Sequence, residues 1–273
     1  MKEDVLIIGC GEIGTSLIEG WLNKKKEFYK KINHIYVLEK NLKRKKFLQK
    51  KFKNKISFVN LDNIKKEFRY IFLSIKPKDL NLNLTKYKIF FNNKTILFSV
   101  LAGKMIKDIK KVFLINKNIF RLMLNTPISV NKGTITYSSL KKFNKNDLFL
   151  ISLLGNTYHL QSERYFNLIT TIVGSGPAYF YYLLESLHSV AKSKGLNKNF
   201  SEKIIKDTYV GTAEIINNSK LSFDSLRKKV ASRGGTTEAA INCLKKNSFQ
   251  KLIYSSVNHS IKKAKNLGSK KVK

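Results

Sequence analysis

Val5-Leu6-Ile7-Ile8-Gly9-Cys10-Gly11-Glu12-Ile13-Gly14 is the stretch that decides the fold. Its four leading residues are apolar, the makings of a short buried strand. The glycines follow in the spacing GxGxxG. Ile13, Leu17, Ile18, Trp21 and Leu22 then fall on one face of a helix. A lone GxGxxG is a weak signal, but between a strand and an amphipathic helix it reads as a dinucleotide-binding turn. Gly9 permits the tight turn, Gly11 lets a diphosphate approach the backbone, and Gly14 allows close packing of helix on strand. The free N–H groups and dipole of the helix N-terminus then hold the phosphates. Glu12 and Ile13 lie inside the same turn.

Outward from this unit, strand-like and helix-like stretches alternate. Further apolar runs cover Ile56 to Val59, Ile71 to Ile75, Thr95 to Val100 and Ile119 to Met123, after one from His34 to Leu38. Such alternation predicts an α/β fold, a doubly wound parallel Rossmann sheet with helices on both faces. Gly133 to Ser138 and Thr157 to Ser162 read as two more strands. After about residue 163 the pattern is helical throughout. Tyr179, Phe180, Leu183, Leu184, Leu187, Val190 and Ala191 trace one helical face, with Gly195 as its stop. Ser201 and Glu202 are expected to open a second helix, and the basic tail from Asn266 is expected to fray. The expected domains are 1–162, which binds the dinucleotide, and 163–273, which is helical.

Glu39 ends the second strand, roughly 25 residues beyond the last glycine, where an acidic residue commonly bonds a ribose 2′-OH. Lys40, Lys43 and Arg44 follow, and such cations could hold a 2′-phosphate instead, so NAD(H) and NADP(H) both stay open. Ser74-Ile75-Lys76-Pro77 ends the fourth strand, at the edge where ligands bind in such sheets. Ser232-Arg233-Gly234-Gly235-Thr236-Thr237 precedes another helix. Its consecutive glycines leave backbone N–H groups unshielded at a helix start, which makes a second anion site suited to a small carboxylate. The competing reading is a Thr N-cap after a flexible turn.

The 273 residues carry 53 Lys and Arg against 18 Asp and Glu, a net charge of +35. The excess is mostly Lys, spread along the chain beside abundant Asn and Ile, as AT-rich coding would produce. No basic stripe is interleaved with stacking aromatics and no groove-reading motif is present, so a nucleic-acid partner is not expected. No run approaches the roughly 18 apolar residues of a membrane span. Met1 leads almost directly into a strand, and Cys10 and Cys243 form no disulfide framework. The expectation is a cytoplasmic protein without a membrane partner or a bound metal.

Taken in order, the motifs resemble the pyrroline-5-carboxylate reductase family over nearly the whole chain. They are the glycine turn, Ile75-Lys76-Pro77, Ala102-Gly103, Arg121-Leu122-Met123-Leu124-Asn125-Thr126-Pro127, Gly174-Ser175-Gly176-Pro177-Ala178-Tyr179, and Gly234-Gly235-Thr236-Thr237. The resemblance implies the last step of proline biosynthesis: hydride transfer from NADPH or NADH to the C=N carbon of 1-pyrroline-5-carboxylate. It implies a helical domain that dimerises, often within a larger homo-oligomer. By the same resemblance Thr237 is the catalytic candidate, near the imine nitrogen. Ser232, Gly235, Thr236 and Thr237 would bind substrate, Ser74, Lys76 and Pro77 would contact the cofactor, and Asn63 would reach its ribose. Three residues depart from the family pattern. Leu124 and Arg233 stand where it has Pro, and Glu12, where it more usually has Asn, puts a negative charge beside the diphosphate.

Three rival readings remain at this point, one of them a catalytically dead binding protein that keeps the fold. Another is a related imine or β-hydroxyacid reductase, with a catalytic lysine such as Lys192, Lys194 or Lys203. The third is a basic nucleic-acid-binding protein.

Overall fold

The computed structural model describes residues 2–62, 66–113, 118–140 and 144–269. Its sheet has the order β3-β2-β1-β4-β5-β6-β7-β8. The strands are β1 (Glu3–Ile8), β2 (Ile32–Leu38), β3 (Ile56–Phe58), β4 (Tyr70–Leu73), β5 (Ile96–Ser99), β6 (Ile119–Leu124), β7 (Gly133–Ser139) and β8 (Gly155–His159). β1 to β6 run parallel, β7 pairs antiparallel with β6, and β8 is parallel to β7. The order reverses between β1 and β4, and ligands bind beyond the strand ends at such a switch point.

Helices cover both faces of the sheet, so its central strands are buried on both sides. Val5 and Ile7 of β1 join one core with Trp21 and Phe72, while Leu6 and Ile8 join the other with Ile71 and Leu73. This is why the central strands read as unbroken apolar runs rather than alternating ones. Trp21 sits on α1 (Glu12–Asn23). Its indole stacks on Phe28 of α2 (Lys25–Lys31), and its Nε1 donates to Leu150 O at 2.9 Å. β4 ends at Leu73, two residues before its expected limit, because Ile75 turns against Gly9. β8 starts earlier than expected, where Gly155 pairs with Gly133.

The remaining helices are α3 (Leu42–Phe52), α4 (Ile106–Phe113), α5 (Phe149–Ser152), α6 (Phe166–Ile169), α7 (Gly176–Ser193), α8 (Lys198–Asn218), α9 (Phe223–Val230), α10 (Thr236–Lys246) and α11 (Phe249–Ser269). The chain divides into one compact unit of Met1–Gly176 with Ser260–Lys273 and a second of Pro177–His259. The second unit is helical. Its α8 opens before Ser201, because the Asn197 side chain accepts from the N–H groups of Asn199 and Phe200.

Residues 266–269 are helical, where fraying was expected from Asn266 onward. Helix α11 continues through Ser269, and its last turns pack within the first unit. Ala264 is buried, and Gly268 lies so close to Gly103 that a Cβ on Gly103 would come within 2.7 Å of the Gly268 nitrogen. Thr171 is also fully buried and donates to Ser260 Oγ at 3.1 Å. It belongs to a π-helical turn, Thr170–Gly174, that precedes α7.

Candidate active site

The glycine turn lies at the switch point. Gly9 N donates to Leu38 O and Ser74 N donates to Ile8 O, both at 2.8 Å, so β1, β2 and β4 end together. Gly9 has φ +78°, and a side chain there would strike Ile75. Gly11 caps α1, whose N-terminus receives no side-chain cap, and a Cβ on Gly11 would meet only open space. Gly14 is packed against Cys10 and the Gly9 carbonyl.

An open cleft of about 1320 Å³ spreads from this turn. It is lined by Gly9, Gly11, Glu12, Glu39, Lys40, Ser74 and Lys76 from the residues singled out in the sequence. Its volume exceeds the 300 to about 1,000 Å³ usual for small-ligand pockets. An uncapped helix start, a bare backbone at Gly11 and this volume together fit an extended diphosphate ligand. Ile13 and Gly14 lie behind the turn in α1, and Pro77 opens the short 3-10 turn Pro77–Asp79 at the cleft's edge. Asn63 lies outside the described residues.

Glu39 and Arg44 hold the turn from two sides. Glu39 accepts from Cys10 N at 2.9 Å and from Asn41 N at 2.8 Å. Arg44 reaches back from the first turn of α3, where the Asn41 side chain caps its backbone N–H. Its guanidinium donates to Cys10 O at 2.8 Å, Glu12 Oε1 at 3.0 Å and Thr15 Oγ1 at 2.5 Å. Phe47 lies 4.8 Å from the guanidinium carbon and also lines the cleft. The sequence reading had named Arg44 only as one of three cations that could hold a 2′-phosphate, and its contacts with Cys10, Glu12 and Thr15 were not foreseen. Burial pushes the Cys10 thiol up to about 12, although Arg44 opposes the shift, so the thiol stays protonated at neutral pH.

The motif ending in Asn-Thr-Pro has a supporting place. Arg121 is buried in β6, pairs with Glu163 at 2.9 Å and lies 4.1 Å from the centre of the Phe166 ring. Burial depresses its pKa, and Glu163 counters that effect. Leu124, one of the departures, is a buried strand residue paired with Ile135. Proline there would remove an N–H from the sheet's interior. Asn125 accepts from Thr134 N at 3.0 Å, tying the motif to β7.

In the second unit, Gly235 is the N-cap of α10, with Thr236 and Thr237 in its first turn and no side-chain cap. Ser232, Arg233 and Thr236 are exposed and Thr237 is half-buried. Two of the amides expected to be bare are engaged. Gly235 N donates to Ser232 O at 3.1 Å, and Gly234 N donates to Glu238 Oε2 at 2.7 Å. The sequence reading missed Glu238, whose carboxylate takes the N–H of Gly234, one residue before the N-cap. Among the described residues, no cluster of His, Cys, Asp and Glu could hold a metal, and no helix is long and apolar enough to cross a membrane.

Comparisons with known proteins match both halves of the chain. The family model described as "Pyrroline-5-carboxylate reductase dimerisation" matches residues 163–267, and that of "NADP oxidoreductase coenzyme F420-dependent" matches residues 4–103. Pyrroline-5-carboxylate reductase 2 of Bacillus subtilis is 28% identical over 267 residues, 94% of this chain and 92% of that protein. Pyrroline-5-carboxylate reductase 1 of the same organism is 29% identical over 271 residues, 97% of this chain and 90% of that protein. The fold matches the solved pyrroline carboxylate reductase of Plasmodium falciparum with NADP bound, at TM-score 0.83 and 24% identity, covering 98% of each chain. It also matches that of Coxiella burnetii, at TM-score 0.81 and 24% identity, covering 98% of this chain and 100% of that one.

Proposed function

The chain belongs to the pyrroline-5-carboxylate reductase family, and from that premise we propose that it reduces 1-pyrroline-5-carboxylate to L-proline with NADPH or NADH. The observation that carries this reading is the glycine turn at the β1/β4 switch point, open at Gly11 and joined to a cleft large enough for a dinucleotide. The family matches cover residues 4–103, from β1 through β5, and residues 163–267 of the helical part.

The bound dinucleotide supplies the hydride. The N-terminus of α1 and the Gly9 to Gly14 turn grip its diphosphate, and Ser74, Lys76 and Pro77 line the approach to its reactive end. Glu39 and Lys40 stand where the adenosine ribose is read. Ser232, Gly235 and Thr236 hold the substrate carboxylate at the start of α10. Thr237 Oγ1 faces the imine nitrogen and accepts a hydrogen bond from the N–H of its protonated form. The imine enters protonated, so hydride addition to its carbon completes the amine, and the protein's task is alignment of donor and acceptor. Neither a protein nucleophile nor a metal is needed for these steps.

The protein works as a homodimer or larger homo-oligomer through its helical unit. Phe180, Tyr181, Tyr182, Leu183 and Leu187 of α7 are exposed in the single chain, more apolar surface than a solvated helix carries.

Purified protein mixed with 1-pyrroline-5-carboxylate and NADPH or NADH tests the reading. Loss of reduced-nicotinamide absorbance with formation of proline is expected, and no turnover with either cofactor overturns it. Thr237→Ala is expected to cut kcat by about 10² or more with dinucleotide affinity kept. An unchanged kcat removes Thr237 from the chemistry.

A further inference from the structure

Glu12 is anomalous in a turn that grips a diphosphate. It is the first residue of α1, its side chain is 83% exposed, and it lines the cleft. An acid at a helix start is favourable by itself, but here it competes with the ligand for the same positive helix end. The structure supplies a counter-charge from a distant place in sequence. Arg44 bonds Glu12, and its other two donor groups are committed to the turn at Cys10 O and Thr15 Oγ1. The Thr15 hydroxyl in turn donates to Gly11 O at 2.9 Å. One planar guanidinium thus connects three residues of the turn, flanked by the Phe47 ring. The neighbouring Lys40 and Lys43 also line the cleft, but an ammonium is a point charge and does not span three fixed acceptors.

We propose that Arg44 is the positioning residue that lets this glycine turn carry Glu12. It neutralises the glutamate beside the diphosphate and holds the Cys10 carbonyl and Thr15 hydroxyl in place. Glu12 in return keeps Arg44 on the turn, so the arginine serves NADPH and NADH alike and does not read the 2′-phosphate. Glu12 and Arg44 form one functional pair that sets dinucleotide affinity without touching the imine acid. The inference rests on the reductase reading above and deepens its cofactor site.

A double-mutant cycle tests it. Dissociation constants for NADPH and for NADH are measured by calorimetry on the parent protein, Glu12→Asn, Arg44→Met and the double variant, with melting temperatures as a folding control. Arg44→Met is expected to weaken both cofactors by about 30-fold or more, and Glu12→Asn to tighten both by about threefold or more. The double variant is expected to recover to within about threefold of the parent, because without Glu12 the arginine's main task is gone.

If Arg44→Met costs the same affinity in the parent as in the Glu12→Asn variant, the proposal is overturned, since equal losses mark Arg44 as a direct ligand. A loss confined to NADPH would overturn it too, by showing that Arg44 reads the 2′-phosphate. If Arg44→Met does not fold, the Glu12→Asn arm decides alone, and unchanged or weaker affinity sinks the pair. Failure of the parent protein to bind either dinucleotide would instead strike at the reductase reading itself.

Discussion

Gly234 N–H donates to the carboxylate of Glu238 at 2.7 Å, so the chain's own acid occupies one donor of the turn that is to receive the substrate carboxylate. Under the proposed function the two carboxylates would compete for the same helix start. Glu238→Ala is therefore expected to lower the KM for the imine acid by about three- to tenfold, the effect of about 1 kcal/mol. Because Thr237 stays in place, kcat is expected to change little. Steady-state kinetics at saturating cofactor checks this, and an increased KM would show that Glu238 shapes the turn more than it competes for it.

Under the proposed function, Glu39 is the residue expected to set cofactor preference. Its carboxylate receives the N–H groups of Cys10 and Asn41 and lines the cleft, where the proposed function has the adenosine ribose bind. A fixed negative charge there accepts from a 2′-OH and repels a 2′-phosphate. Glu39→Ser is expected to shift the ratio of kcat/KM for NADPH over NADH upward by about tenfold, read from initial rates with each cofactor. No shift would mean that Glu39 acts only as a brace for the turn.

Gly11→Val separates folding from binding. A Cβ at Gly11 meets nothing in the protein, so the variant is expected to melt within a few degrees of the parent. Its side chain would stand where the diphosphate must lie, and dinucleotide binding is expected to be lost by calorimetry. Gly9 offers the contrast. Gly9→Ala places a Cβ 2.6 Å from Ile75 at φ +78°, and is expected to lower the melting temperature itself.

The charge of +35 makes stability depend on salt. Exposed like charges repel over roughly 10 Å at 0.1 M salt and far less above it. The melting temperature is expected to rise by about 3 °C or more between about 20 and 300 mM NaCl. A flat response would mean that the excess Lys is already compensated in the folded state.

What could be read from the sequence was what neighbouring residues encode. Val5 to Ile8 followed by Gly9 placed the first strand and its turn, because a strand buried on both faces is an unbroken apolar run. The start of α10 at Thr236 was visible for a similar reason, a glycine pair ending one pattern and opening another. The contacts of Arg44 were not legible. Its partners Cys10, Glu12 and Thr15 lie about thirty residues away, and only the parallel pairing of β1 with β2 brings α3 back to the turn. Residues 266–269 were misjudged as frayed because Asn266 to Lys273 is polar, whereas their anchors are small residues, Ala264 and Gly268, that carry no hydrophobic signal.

Arg121 and Glu163 supply the last prediction. The arginine side chain is 3% exposed and the glutamate 19%, and Glu163 also accepts from Ile106 N at 3.2 Å. It thereby ties β6 and the start of α4 to the turn that leads into α6. Removing one partner of a buried pair strands the other's charge, at a cost of about 3–5 kcal/mol. Glu163→Ala is therefore expected to lower unfolding stability by about 3 kcal/mol, measured by urea titration at fixed protein concentration because the assembly contributes. Replacing both residues, as in Arg121→Met with Glu163→Leu, is expected to recover most of that loss, since no uncompensated charge remains inside. If the double variant is as unstable as Glu163→Ala, then the geometry of the pair, and not its charge balance, is what holds this part of the fold.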